Sequence, residues 1–184
     1  MKKILLFTVL LCCGMSYGQT KKTLKQLAEI QGDWTANENG IPEYIQISDN
    51  LIQSKGDLFD NCIGHLKRVP DIDFEILETS ETKDFIKLEI ITLVRSFLGM
   101  HIYAVYDGEI NFKDHKMRIK LTLEKWTGNG APVPAKHSYP FYMNGSDKNF
   151  EGRSFYESHK IIKPLINSLS TNIINFEQPK NDDW

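Results

Sequence analysis

From Trp34 to Trp126 the chain alternates apolar and polar residues with a period of two, broken by turn-forming residues every five to ten positions. That is the pattern of half-buried antiparallel strands, because successive side chains on a strand point to opposite faces. Tyr44-Ile45-Gln46-Ile47-Ser48 predicts one strand, with Asp49-Asn50 turning it back into Leu51-Ile52-Gln53-Ser54-Lys55. Cys62 to Val69 predicts another, stopped by Pro70-Asp71. Ile72, Phe74 and Ile76 then share a face opposite Asp71, Asp73 and Glu75, so these acids read as a solvated outer face rather than a metal or acid-base pair. Ile86, Leu88, Ile90 and Val94 line one side of the next strand, and Met117, Ile119, Leu121 and Leu123 one side of the last. Between them His101 to Tyr106 runs into Asp107-Gly108, which predicts a two-residue hairpin turn because both residues tolerate positive φ. Lys113-Asp114-His115 supplies a further turn, and the count is about nine strands.

Helical spacing appears only at the two ends. Thr23-Leu24-Lys25-Gln26 has capping-box spacing, and Leu24, Leu27, Ala28 and Ile30 fall on one face of the short helix it would start. Near the C-terminus, Ile161, Leu165, Leu169, Ile173 and Phe176 recur at helical spacing, predicting a helix from about Ser158 to Phe176 that Pro164 kinks or begins. Between strands and helix lies an excursion, residues 127–156. It opens with the Gly/Pro loop Thr127-Gly128-Asn129-Gly130-Ala131-Pro132-Val133-Pro134 and continues through the aromatic run Tyr139-Pro140-Phe141-Tyr142-Met143. Long irregular excursions from a rigid scaffold often carry binding groups, so this one is a candidate surface for a protein partner.

A meander with one apolar face must hide that face and its two edges. Short hairpin links favour closure into an up-and-down antiparallel β-barrel, and the absence of helix-length segments between the strands excludes a parallel α/β sheet. The expectation is a single mostly β domain over residues 19–176, with a flexible polar tail at 177–184.

Where the first helix ends stands Gly32-Asp33-Trp34, followed by the strands and an amphipathic C-terminal helix. In this order the chain resembles the lipocalin-like (calycin) group, in which a G-x-W motif opens the first strand. The resemblance covers residues 23 to about 126. It implies a barrel whose closed end is plugged by Trp34, with Gly32 releasing the helix into the first strand. It also implies a late-strand arginine over that tryptophan. Arg118 is the positional candidate, from outside the barrel, because its parity is opposite to Met117 and Ile119. The activity so implied is binding of a small, largely apolar ligand in the lumen.

Composition narrows the choice of partners. The N-terminus, MKKILLFTVLLCCGMSYGQ, pairs basic Lys2-Lys3 with an apolar Ile4 to Leu11 and a small-residue boundary at Gly18, the form of a cleaved bacterial secretory signal over residues 1–18. Export to the periplasm or the cell exterior is therefore expected, and the apolar run is far short of the roughly 20 residues that span a bilayer. Overall, 22 basic side chains face 24 acidic ones, a net charge of −2, which gives no footing for nucleic acid. Of three cysteines only Cys62 lies beyond the leader, so no internal disulfide is expected there, and a lone Cys is usually a small buried hydrophobe.

Chemistry is sparsely signposted. His65, His101, His115, His137 and His159 show no metal-ligand spacing, and no nucleophile, phosphate or dinucleotide motif occurs, so neither a metal nor a cofactor is expected and an enzyme is the least favoured class. His115 reads as a turn residue and His159 as solvent-facing near a helix start. His101 and Tyr103 share one strand face, and His65 shares that of Ile63. Pointing inward, these three would supply the few polar groups of an apolar ligand site; pointing outward, they would simply be solvated. The expected function is an exported small-molecule binder, and the rival is an envelope interaction or structural module with no small ligand.

Overall fold

In this computed structural model, which describes residues 21–67, 73–97, 99–135, 139–143 and 149–175, seven strands form one open antiparallel sheet flanked by three α-helices. The expected leader at 1–18 and tail at 177–184 lie outside the described residues. Chain order is α1 (Lys21–Ile30), a single 3-10 turn (Gln31–Asp33), β1 (Trp34–Ala36), β2 (Pro42–Ser48), α2 (Lys55–Leu66), β3 (Asp73–Thr79), β4 (Phe85–Phe97), β5 (Met100–Lys113), β6 (Lys116–Gly128), β7 (Val133–Pro134) and α3 (Asn149–Ile174). Across the sheet the order is β1-β2-β6-β5-β4-β3, with β7 also pairing β6.

The mostly β fold and both terminal helices match expectation, but the sheet does not close into a barrel. The reason is α2. An up-and-down barrel pairs each strand with its successor, whereas here a helix follows β2 and delivers the chain to β3 at the far edge, leaving β2 to pair with β6. The segments 51–55 and 62–66, expected as strand, belong to the loop and helix of this crossover. Ser54 caps α2, its side chain accepting from the Asp57 backbone while Asp57 answers the Ser54 backbone. Leu58, Phe59, Cys62 and Leu66 then face the core at helical spacing. Burial pushes the Cys62 thiol up to about 12, the behaviour of a small core hydrophobe.

Asp107-Gly108 does not turn either. β5 runs straight through it, because Gly108 lies on the packed face between Leu88 and Leu121, whose side chains approach to 3.0 and 3.1 Å of where a Cβ would sit. Two expected strands thus fuse into one long one, and the true hairpin falls at Asp114-His115, with His115 at φ 62.

Two of the predicted inner stripes hold, with Ile86, Leu88 and Ile90, and likewise Met117, Ile119, Leu121 and Leu123, all buried. On the edge strand β3 the expected stripe does not, since Phe74 is half-buried and Ile76 37% exposed, and Ile72 lies outside the described residues. What covers them is the helical layer. The buried stripe of α3 is Phe155, Ser158, Ile162, Ile166, Leu169 and Ile173, about one residue out of phase with the expected one over its first half. Pro164 sits inside this helix on its exposed side, where it leaves the carbonyl of the exposed Lys160 without its usual helical donor. The opposite sheet face is solvated, with Lys87 paired to Glu78 and Arg118 near Glu109.

Candidate functional site

Two places concentrate polar side chains beneath the sheet surface, and they differ in how those groups are satisfied. The first is built on Gly32-Asp33-Trp34. Trp34 is 3% exposed, with its ring 4.8 Å from Phe155, edge-on to Tyr44 at 5.7 Å and stacked on Tyr106 at 6.4 Å. Its indole N–H donates to Nδ1 of His159 at 3.1 Å, and Nε2 of His159 stands 3.2 Å from the Asp33 carboxylate, which also receives Lys163 at 2.8 Å. His159 is therefore buried in the middle of α3, not solvent-facing near a helix start as expected. Burial lowers its pKa, the Asp33 charge raises it and Lys163 lowers it. Nearby, Tyr106 bonds Ser158, and burial raises the phenol's pKa. Gln31 grips both the N–H and the C=O of Phe141, at 2.8 and 2.9 Å.

Every nitrogen of His159 is occupied in this junction, so it has no free lone pair for proton transfer. Trp34 is a buried core residue between the open sheet and α3, and with no barrel there is no closed end for it to plug. Gly32 has open space around a would-be Cβ and no positive φ, so no steric need for glycine exists there. Arg118 lies on the solvated face, 3.6 Å from Glu109, whereas Trp34 lies under the helical layer; the sheet separates them. The aromatic run is divided: Phe141 and Tyr142 are buried in the core, whereas Tyr139 is 58% exposed.

The second place is a cleft of about 400 Å³ at the end of the sheet where β4 turns into β5. Two β-bulges shape it. Along β4 the register slips between Leu93 and Arg95, and along β6 it slips where Tyr106 pairs Leu123 but Val105 pairs Lys125. Each extra residue reverses the parity of the strand beyond it. Arg95 therefore comes to pair with Ile102, and Trp126 joins the buried row of Thr92 and Ala104 instead of the solvated face. The loop after β6 folds back, so Val133 pairs Trp126 and Asn129 donates to the Gly99 carbonyl at 3.1 Å. Gly128 is required here, because a Cβ would collide with the His101 carbonyl.

The lining is apolar in the main, through Met100, Ile102, Trp126, Ala131 and Val133, with Arg95, His101, Thr127 and Asn129 as its polar members. Met100 and Val133 remain 51% and 42% exposed at the rim. Trp126 itself is 2% exposed, and its indole Nε1 has no acceptor among the described residues. The Thr92 hydroxyl, in the same cross-strand row, is also unpartnered. Orphaned buried donors are uncommon in folded proteins and costly, at roughly 1–3 kcal/mol each.

Of the residues anticipated for ligand binding, His101 lines this cleft, its Nδ1 2.9 Å from Ser96 Oγ. Its ring lies 6.4 Å from that of Tyr103, which pairs the exposed Leu93 on the outer face. His65 is not on a strand at all but near the end of α2, where its Nε2 is 3.5 Å from the Asn172 amide on α3 and burial lowers its pKa. α2 packs against the Phe112 end of β5, at the other end of that strand from His101. The three do not converge. Arg95 and Trp126 escaped sequence reasoning because a bulge is invisible to strict alternation; the residual signal was that both are large side chains at the ends of long strands.

Among the described residues, no group of three or more His, Cys, Asp or Glu is placed to hold a metal ion, and no helix is long and apolar enough to cross a membrane. No family model matches the chain, and no curated protein matches it either. Among solved structures, it is similar to a DUF4468 family protein from Bacteroides ovatus, with a TM-score of 0.59 and 12% identity over 83% of this chain and 95% of that one. It is likewise similar to a TBP-like protein from Parabacteroides distasonis, with a TM-score of 0.58 and 13% identity over 77% of this chain and 97% of that one. At such identities the likeness is one of fold alone.

Proposed function

We propose that this chain is an exported binding protein that holds a small, largely apolar molecule in the cleft between the β4–β5 turn and the loop after β6. The observation that carries the reading is Trp126: a buried indole whose N–H lacks an acceptor, set in the wall of an apolar opening of about 400 Å³. A ligand with an apolar body would cover Met100 and Val133, and an acceptor atom on it would satisfy the Trp126 donor on a turn of the ring, which shields that nitrogen from solvent in the free protein. Export rests on the Lys2-Lys3 and Ile4 to Leu11 pattern of the leader. The rival interaction-module reading would gain from an exposed aromatic patch at 139–143, but there only Tyr139 is exposed, while Phe141 and Tyr142 are buried.

The test is a titration of the ¹⁵N-labelled protein with 1-decanol, followed by NMR. The Trp126 indole signal and the amides of 100–102 and 127–131 are expected to move together and saturate, while the Trp34 indole stays still. Absence of saturable shifts, or shifts centred on Trp34, would overturn the reading.

A further inference from the structure

Arg95 is the one cation in the cleft wall, and the structure leaves it without an ion-pair partner among the described residues. The charges it feels from α3 are Arg153, of like sign, and Glu157, whose carboxylate already holds Lys160 at 2.5 Å. Burial and Arg153 lower the guanidinium's pKa, and Glu157 raises it, so the sum of its surroundings disfavours the charge. A guanidinium keeps its charge near neutral pH, and Arg95, only partly buried in the cleft wall, is held by water that a ligand anion can replace. The β4 bulge denies it the open outer face by pairing it with Ile102.

We infer that the cleft is built for an amphipathic carboxylate, a fatty or aromatic acid whose apolar part lies on Trp126, Ile102 and Met100 while its carboxylate forks onto Arg95. The inference rests on the cleft being a ligand site and names the ligand's class. The carboxylate supplies acceptors for the bidentate donor pattern of Arg95, and its second lone pairs offer the acceptor that Trp126 Nε1 lacks. A neutral ligand of the same shape would satisfy at most the indole and leave the guanidinium as it stands.

Decanoate and 1-decanol share an apolar chain and differ in charge, so the pair isolates this contribution. Both are titrated below the micellar concentration of decanoate at pH 7.5, with the Trp126 indole signal reporting occupancy. Wild-type protein is expected to hold decanoate about tenfold or more tightly than 1-decanol, as charge-assisted hydrogen bonds are worth roughly 1.5–3 kcal/mol. In Arg95→Gln the preference should vanish, the two affinities becoming equal within about twofold, and a dispersed amide spectrum reports that the variant is folded. Arg95→Lys, keeping the charge without the fork, should retain part of the preference. Equal affinities in the wild type, or a preference surviving in Arg95→Gln, would overturn the role of Arg95 while leaving the cleft a ligand site. If neither compound moves the Trp126 signal, the cleft reading fails and this inference falls with it.

Discussion

Trp34 and Trp126 are buried to nearly the same degree, at 3% and 2% exposure, yet their indole nitrogens live differently. Trp34 Nε1 donates to His159, which reaches Asp33, which receives Lys163; the relay ends only at a half-exposed lysine. Trp126 Nε1 has no acceptor among the described residues. A closed hydrogen-bond chain is what a structural junction needs, since a partly satisfied buried network costs more than an apolar one. An open donor beside an apolar cleft is what a binding site leaves for its ligand. On the proposed reading, the two tryptophans therefore separate what holds the fold from what serves a ligand.

The largest expected effect lies on the closed side. Trp34→Ala would open a cavity among Tyr44, Tyr106 and Phe155 and strand His159 Nδ1, at a cost of about 3–5 kcal/mol in urea unfolding. A loss below about 1 kcal/mol would mean the site relaxes and that Trp34 is not the hub. Next comes Trp34→Phe, which keeps most of the aromatic volume and deletes only the donor. It should cost about 1–3 kcal/mol, the usual penalty for leaving a buried acceptor alone.

The closed side is largely legible in the sequence. Trp34 after a short helix reads as a large core residue, and the even spacing of Ile86, Leu88 and Ile90 and of Met117, Ile119 and Leu121 marks the buried face. The open side is not. Strict alternation carries past Leu93 and past Leu123, where bulges invert it, so it assigns neither Arg95 nor Trp126 its true face. The capping box of α2 carries Asp57 at the place where Glu or Gln is usual, which hides the helix that keeps the sheet open. The partner of Trp34 sits 125 residues away on α3, a contact that no local pattern announces.

Acid should affect the closed side in a definite direction. His159 has a folded pKa below its unfolded value of 6.5, so its contribution to stability is complete above pH 6.5 and is lost as pH falls toward the lowered value. A proton on Nδ1 would face the Trp34 N–H, donor against donor. Tyr44, Asp33 and Lys163 border the ring, and only Asp33 favours the imidazolium. His65 is lowered by burial as well and acts in the same sense, so the measurement is made in a His65→Gln background. Urea midpoints from pH 8 to 5 should decline below about 6.5. In Trp34→Phe, where Nδ1 has no donor to oppose, the decline should be shallower; an identical decline would show that the acid sensitivity arises elsewhere.

The smallest stability effect is expected from the counterpart substitution. Trp126→Phe removes the same N–H group as Trp34→Phe, but from a donor that has no acceptor to strand. The ring's packing beside Ala104 and Val133 is largely kept, and the desolvation cost of an unmade hydrogen bond disappears. Unfolding free energy should stay within about 0.5 kcal/mol of wild type, or rise slightly. What should change is binding, because the ligand loses the donor that awaited it, and occupancy followed by calorimetry in place of the absent indole signal should weaken severalfold. If Trp126→Phe instead destabilised the chain as much as Trp34→Phe, the indole would have a structural partner after all. The distinction between a closed and an open tryptophan would then collapse.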